Sequence, residues 1–307
     1  MNVLLADPFF ATPEFKTALR NRVPAARVAI WGEDSIPNDV DVLATWTIPD
    51  DMRRLPVGLQ AIFCFGAGAG HLLADERVPY GLPIVRNLDD GQAEQMLDYA
   101  LHATLARQLD DQNLLIAQRQ AAWERPRSAR RQRGSLKVTI LGNGFIGRRV
   151  SEGLAAYGFS VARWTFSAGD AIPGLYRGPD QLVDACRQAD VLINVLPLSP
   201  DTDHILSSDV LFALRRGAYL VNIGRGSHVD DRAMLTAIDR GVLAAAWLDT
   251  FRREPLPDDD PLWSHPRIRI TPHIGGLPTI DGSANALADV LEVLCSESAL
   301  PGLVKRR

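Results

Sequence analysis

Short apolar runs alternate with amphipathic stretches along the whole chain, and the alternation predicts its elements. In the first hundred residues VLLA (3–6), RVAIW (27–31), DVLAT (41–45), AIFCF (61–65) and PIVRN (83–87) are brief, continuous and apolar, the pattern of strands buried on both faces. Between the first two, PEFKTALRNR places Phe15 and Leu19 four residues apart, a helical spacing. A stronger series opens at Ser135. LKVTIL, SVARW (160–164), DVLINVL (190–196), YLVNIG (219–224), AAWLDTF (245–251) and IRITPHIG (268–275) predict strands, and SSDVLFALRR and DRAMLTAIDRG predict helices between them. Strands alternating with helices predict parallel sheets covered on both faces.

Two helices tie the series together. From about Ala93 to Trp123, apolar residues recur at Met96, Leu97, Ala100, Leu101, Leu105, Leu109 and Leu114, which predicts one long amphipathic helix. Its stripe is wider than a lone surface helix needs, so a homodimer contact is expected there. After Gly276, TIDGSANALADVLEVLCSES predicts a last helix that returns to the first series. The expected architecture is α/β, with a domain of residues 98–275 inserted into one made of 1–97 and 276–307.

Composition narrows the class. A chain of 307 residues is too long for one ordinary core and suits two domains. The formal net charge is −4, and the one short basic run, RPRSARRQR (125–133), reads as a solvated loop. Nucleic-acid binding is therefore not expected. Cys64, Cys186 and Cys295 are scattered, with no CxxC pair, which argues against a disulfide framework or a metal centre and for a reducing compartment such as the cytoplasm. MNVLLADPFF reads as a first strand and not as a signal peptide, and no apolar run approaches the ~18 residues of a membrane span.

The chemistry sits in four turns. Gly142, Gly144 and Gly147 form GxGxxG directly after an apolar strand and directly before a helix. In that context the first glycine allows the tight turn, the second lets a pyrophosphate approach, and the third lets helix and strand pack closely. The amides near Phe145 and Ile146 then face the phosphates at a helix N-terminus. About twenty residues on, where chains that bind NAD usually place an acid, stands Thr165, followed by Phe166 and Ser167. No carboxylate is there to repel a 2′-phosphate, so NADP is expected over NAD. Arg163 is near in sequence, and strand alternation leaves its direction open. The other three turns carry Arg225, Glu254 and His273. A guanidinium can hold a carboxylate and polarise a carbonyl, and an imidazole paired with a carboxylate can move one proton at neutral pH.

The runs VNIGRGSHVDD, LDTFRREPLPDDDPLW and TPHIGG resemble the D-isomer-specific 2-hydroxyacid dehydrogenase family. LPLSPDT (196–202), FGAGAGHLL (65–73) and NLDDGQAEQM (87–96) extend the likeness over essentially the whole chain, in order. Within the family the chain is most similar to the short bacterial glyoxylate/hydroxypyruvate reductases. The resemblance implies two Rossmann-like domains, one flavodoxin-like and one dinucleotide-binding, and a small 2-keto or 2-hydroxy acid as substrate. It implies that Arg225 binds the substrate carboxylate and keto oxygen. His273 would be the general acid of reduction, and Glu254 the partner that favours its protonated form. Asp249 would contact the nicotinamide carboxamide, Leu196, Pro197, Thr202 and Gly275 would bind the cofactor, and Ile223 and Gly224 would flank the nicotinamide. Amides of Ala67, Gly68 and Ala69 would bind the substrate carboxylate, and Trp46 would close the pocket. Two residues depart from the family pattern: Gly70 replaces a frequent Asp, and Phe166 stands where the most similar reductases carry Arg. His71, His102, His204, His228 and His265 read as structural or surface residues. A dinucleotide-sensing corepressor and a dehydrogenase of bulkier 2-hydroxy acids remain open as alternatives, since such relatives keep the same trio.

Overall fold

The computed structural model describes residues 1–36, 39–123, 132–296 and 299–304. Residues 125–131 of the basic run, and with them the solvated-loop expectation, lie outside this set. The chain divides into two compact units, Met1–Gln92 with Pro278–Arg307, and Ala93–Leu277, so the second interrupts the first in sequence.

The first unit holds a five-stranded parallel sheet. Its strands are β1 (Asn2–Leu5), β2 (Arg27–Ile30), β3 (Val42–Thr45), β4 (Ala61–Cys64) and β5 (Ile84–Arg86), in the order β2-β1-β3-β4-β5. That is the order of flavodoxin-like sheets. Continuous apolar strands are used on both faces. Leu5, Phe15, Phe63 and Phe65 pack with Leu287 and Leu291 on one side, and Leu4, Leu43, Ile62 and Cys64 pack with Leu72 on the other. The first side is covered by α1 (Pro13–Arg22), capped by Thr12, and by the returning α9 (Ile280–Leu294), capped by Thr279. The Asp89 carboxylate accepts from the Thr279 hydroxyl (2.9 Å), tying the strand side of the unit to the start of α9. A short helix, α2 (Gly70–Ala74), follows β4.

In the second unit seven parallel strands run β12-β11-β10-β9-β6-β7-β8. They are β6 (Lys137–Leu141), β7 (Ser160–Thr165), β8 (Leu175–Arg177), β9 (Val191–Asn194), β10 (Ala218–Asn222), β11 (Leu243–Leu248) and β12 (Ile268–Ile270). The order reverses between β6 and β9, and open α/β sheets bind ligands at the carboxyl ends of the strands beside such a point. Val138, Ile140, Val191, Ile193 and Val221 pack against α3 (Asp90–Leu109) and α5 (Phe145–Ala156). Leu192, Leu220 and Ala246 pack against α6 (Leu182–Cys186), α7 (Ser208–Ala213) and α8 (Asp231–Asp239).

Three departures from the sequence expectation are the largest. The long helix breaks at Asp110, whose φ of 59° is left-handed, and resumes as α4 (Asp111–Arg119). The strand expected over 268–275 stops at Ile270, because Thr271–Gly275 folds into a turn around a carboxylate described below. Strand β8 was not expected at all, since three residues are too few to show a periodicity. Among the described residues no helix is long and apolar enough to cross a membrane, and no group of three or more His, Cys, Asp or Glu is placed to hold a metal ion.

Candidate active site

The glycine turn links β6 to α5 at the reversal point. Gly142 has φ 123°, and a methyl there would meet Val195 at 2.8 Å. A methyl on Gly147 would stand 2.2 Å from the Gly142 carbonyl, so helix and turn touch through bare backbone. Gly144, the residue before α5, faces open space. The amides of Phe145 and Ile146, at the start of α5, donate to no acceptor among the described residues. Unpaired donors at the positive end of a helix suit a phosphate.

Past α5, β7 ends at Thr165, whose hydroxyl accepts from the Ser167 amide (3.4 Å) and so starts a turn. Phe166 packs on the core edge-on to Trp164. Arg163 is not turned away: its Nη1 donates to the Asn143 side chain in the glycine turn (2.8 Å).

Arg225, Glu254 and His273 follow the adjacent strands β10, β11 and β12, so their turns share one edge of the sheet. The Glu254 Oε2 lies 2.7 Å from His273 Nδ1, and Oε1 accepts from the Phe251 amide (2.9 Å). The carboxylate is thereby aimed by the backbone before it meets the imidazole. His273 itself adopts φ 55°, and its amide donates to the Asp249 carbonyl (2.8 Å). Buried Asp249 organises the turn further, accepting from Thr271 Oγ1 (2.6 Å), the Ile274 amide (2.9 Å) and the Gly275 amide (2.8 Å). Arg225 donates from Nη1 to the Gly224 carbonyl (2.7 Å). A methyl on the following Gly226 would collide with the backbone of Phe251 and Arg252, so the arginine turn sits directly on the segment leading to Glu254.

Beneath this edge lies a buried polar group, one of the histidines read from the sequence as structural or surface residues. His228 is fully buried and bridges two loops. Its Nδ1 accepts from the Arg225 amide (3.2 Å) and from Asn194 Nδ2 (2.8 Å), which leaves the proton on Nε2 to be donated to the Pro197 carbonyl (3.3 Å). Asn222 joins them, accepting from Asn194 Nδ2 (2.8 Å) and donating to the Arg225 carbonyl (3.0 Å). The loop after β9 is also closed by Thr202, whose hydroxyl donates to the Pro197 carbonyl (2.9 Å). Leu196 and Ile223 are buried.

In the first unit, Trp46 and the loop after β4 come together. The Trp46 indole lies where any side chain on Gly66 would be, and its ring centroid is 4.3 Å from that of His71. The amides of Ala67, Gly68 and Ala69 donate to no acceptor among the described residues. Gly70 begins α2, and a side chain there would face open space.

The profile of the D-isomer-specific 2-hydroxyacid dehydrogenase NAD-binding domain matches residues 99–275. A glyoxylate/hydroxypyruvate reductase A of Serratia proteamaculans is 36% identical over 299 residues, covering 94% of this chain and 93% of its own. The chain belongs to this family. Solved structures of members agree with that placement. A D-isomer-specific 2-hydroxyacid dehydrogenase from Xanthobacter autotrophicus, in complex with NADPH and MES, superposes with a TM-score of 0.90 at 26% identity, over 99% of this chain and 98% of that one. An NADPH-dependent glyoxylate/hydroxypyruvate reductase from Sinorhizobium meliloti, in complex with NADP and sulfate, gives 0.84 at 25% identity, with the same coverage.

Burial pushes the His228 imidazole down from 6.5 to about 4, assisted by the nearby Arg225 charge. The folded protein therefore keeps His228 neutral where the unfolded chain takes up a proton. Stability should fall as pH drops from about 6.5 to about 4, with His228 contributing up to ~1.4 kcal/mol per pH unit. Denaturant titrations of His228→Gln are expected to show a flatter dependence across that window; an unchanged slope would mean that His228 is not the group being protonated.

Proposed function

We propose that the chain reduces small 2-keto acids, glyoxylate and hydroxypyruvate, to D-2-hydroxy acids with a hydride from NADPH or NADH. The observation that carries this reading is the pairing of His273 Nδ1 with a backbone-aimed Glu254 at 2.7 Å, beside the Arg225 turn and on the same sheet as an unpaired-amide glycine turn. The relatives named above are reductases of these acids, which supports the substrate class.

The residues fit a dinucleotide. Gly144 leaves room for backbone approach, the Phe145 and Ile146 amides suit a pyrophosphate, and Leu196, Pro197, Thr202, Ile223, Gly224 and Gly275 border the strand ends. A bound nicotinamide supplies the hydride. Arg225 holds the substrate carboxylate and polarises the keto oxygen, a task for a fixed planar cation. With Nδ1 committed to Glu254, His273 gives a proton from Nε2 to the oxygen on which negative charge develops. Oxidation runs the transfer backwards. Asp249 fixes the His273 turn, and any contact with a carboxamide would add to its three hydrogen bonds. In the first unit, which we assign to substrate binding, the Ala67, Gly68 and Ala69 amides are donors suited to a carboxylate, and Trp46 forms a wall over Gly66. We assign the second unit to the cofactor and place the protein in the cytoplasm as a homodimer. Leu109 and Leu114, each 39% exposed near the break between α3 and α4, support the last point.

The test is the fall of NADPH absorbance with glyoxylate or hydroxypyruvate. Turnover is expected with both. Silence across a panel of 2-keto acids, with dinucleotide binding intact, would instead make the protein a sensor.

A further inference from the structure

We propose that Arg177, at the end of β8, selects a dinucleotide that carries a 2′-phosphate. This rests on the reading of the second unit as a dinucleotide-binding domain. The loop after β7 has no cation of its own: Thr165, Phe166 and Ser167 are neutral, and the first acid after them is Asp170. Arg163 is aimed elsewhere: its Nη1 donates to the Asn143 side chain in the glycine turn (2.8 Å).

Arg177 is placed for the task by strand pairing. β7 and β8 run parallel with Thr165 opposite Arg177, the last residue of one strand beside the last residue of the other. Paired residues project on the same face of a sheet, so the guanidinium rises beside Thr165 at the strand ends. It then reaches over the loop. Nε donates to the Asp170 carbonyl (2.9 Å), and Nη1 donates to the carbonyls of Ser167 (3.3 Å) and Ala168 (3.5 Å). The side chain packs flat on Gly169, where a methyl would come within 3.0 Å of Nη1. The Arg177 amide is pinned in turn by Gln181 (2.7 Å). Nη2 donates to no acceptor, and no carboxylate pairs with this guanidinium, among the described residues. A half-buried cation, braced on one side and open on the other, thus stands at the strand end where dinucleotide folds meet the adenosine ribose. With Thr165 and Ser167 as neutral donors beside it, it matches a phosphate dianion better than a diol.

The bracing raises a competing account: Arg177 could only shape the loop. Adenosine fragments separate the two. Dissociation constants of adenosine 2′,5′-bisphosphate and of 5′-AMP are to be measured by calorimetry on the full chain and on Arg177→Met and Arg177→Lys. The wild type is expected to favour the bisphosphate. Arg177→Met should weaken it by roughly 10–100-fold, the worth of a charge-assisted hydrogen bond, with 5′-AMP within about twofold. Arg177→Lys should keep part of the preference, and it supplies the reading if the methionine variant does not fold. Equal loss of both ligands would make Arg177 a brace and overturn the proposal, as would no change in either. A wild type that binds both equally would overturn it while leaving the dinucleotide reading intact. Binding of neither would remove both.

Discussion

Replacing His273 by alanine is expected to lower kcat for hydroxypyruvate reduction by about 10²–10⁴-fold, the usual worth of a general acid. The argument is geometric. Glu254 holds Nδ1 at 2.7 Å, and both residues are partly exposed, so the far nitrogen is left to face a substrate oxygen. Alanine removes the proton donor and keeps the turn, because the turn is built by Asp249 through the Thr271 hydroxyl and the Ile274 and Gly275 amides. Dinucleotide affinity, read by fluorescence titration, should therefore stay within a few-fold. Glu254→Gln loses the charge and has one acceptor oxygen where the carboxylate uses two, one for His273 Nδ1 and one for the Phe251 amide, so kcat should fall there as well. A His273→Ala enzyme with near-normal kcat would take the proton away from this residue, and Glu254 with it.

The sheet could be read from the chain because parallel strands, buried on both faces, must be continuously apolar. Each predicted run marks a strand to within a few residues at its start. The ends were harder, and for one physical reason: these strands stop where polar side chains take over the backbone hydrogen bonds. IRITPHIG looks like a strand to Gly275, yet Asp249 claims the amides of Ile274 and Gly275. That competition involves residues 25 and 26 positions apart, and no local pattern reports it. The break at Asp110 was hidden for a similar reason, since the apolar spacing continues across it from Leu109 to Leu114.

The same contrast divides the site. Arg225, Glu254 and His273 stood out because each is a reactive side chain in a short turn after an apolar run. His228 was read only as a structural or surface residue, because a lone histidine gives no sign of what it touches. Only the fold brings Asn194 to it, with Asn222 bonded to Asn194 from the neighbouring strand. Arg177 was invisible until β8 existed, for its place beside Thr165 is a matter of register and not of sequence distance. Asp249 was legible as a site residue, but its work in shaping the His273 turn was not.

Arg225→Gln should have the other large effect, and of a different kind. Arg225 is partly buried; its Nη1 rests on the Gly224 carbonyl, its backbone amide on His228, and its turn on Phe251 through Gly226. A cation so fixed meets a carboxylate without reorganising, and truncating one partner of such a pair costs roughly 2–5 kcal/mol. Hence kcat/KM for glyoxylate should fall by about 10²–10³-fold. The loss should be shared, because the substrate carboxylate is bound in the ground state while the keto oxygen gains charge only on the way to the product. KM is expected to rise as kcat falls, whereas His273→Ala should act on kcat almost alone. Arg225→Lys restores the charge but not the fork, and should recover about tenfold at most. Steady-state kinetics on the three variants decides between the roles. If Arg225→Gln changed kcat while KM held still, the carboxylate would have to be bound by donors other than this guanidinium.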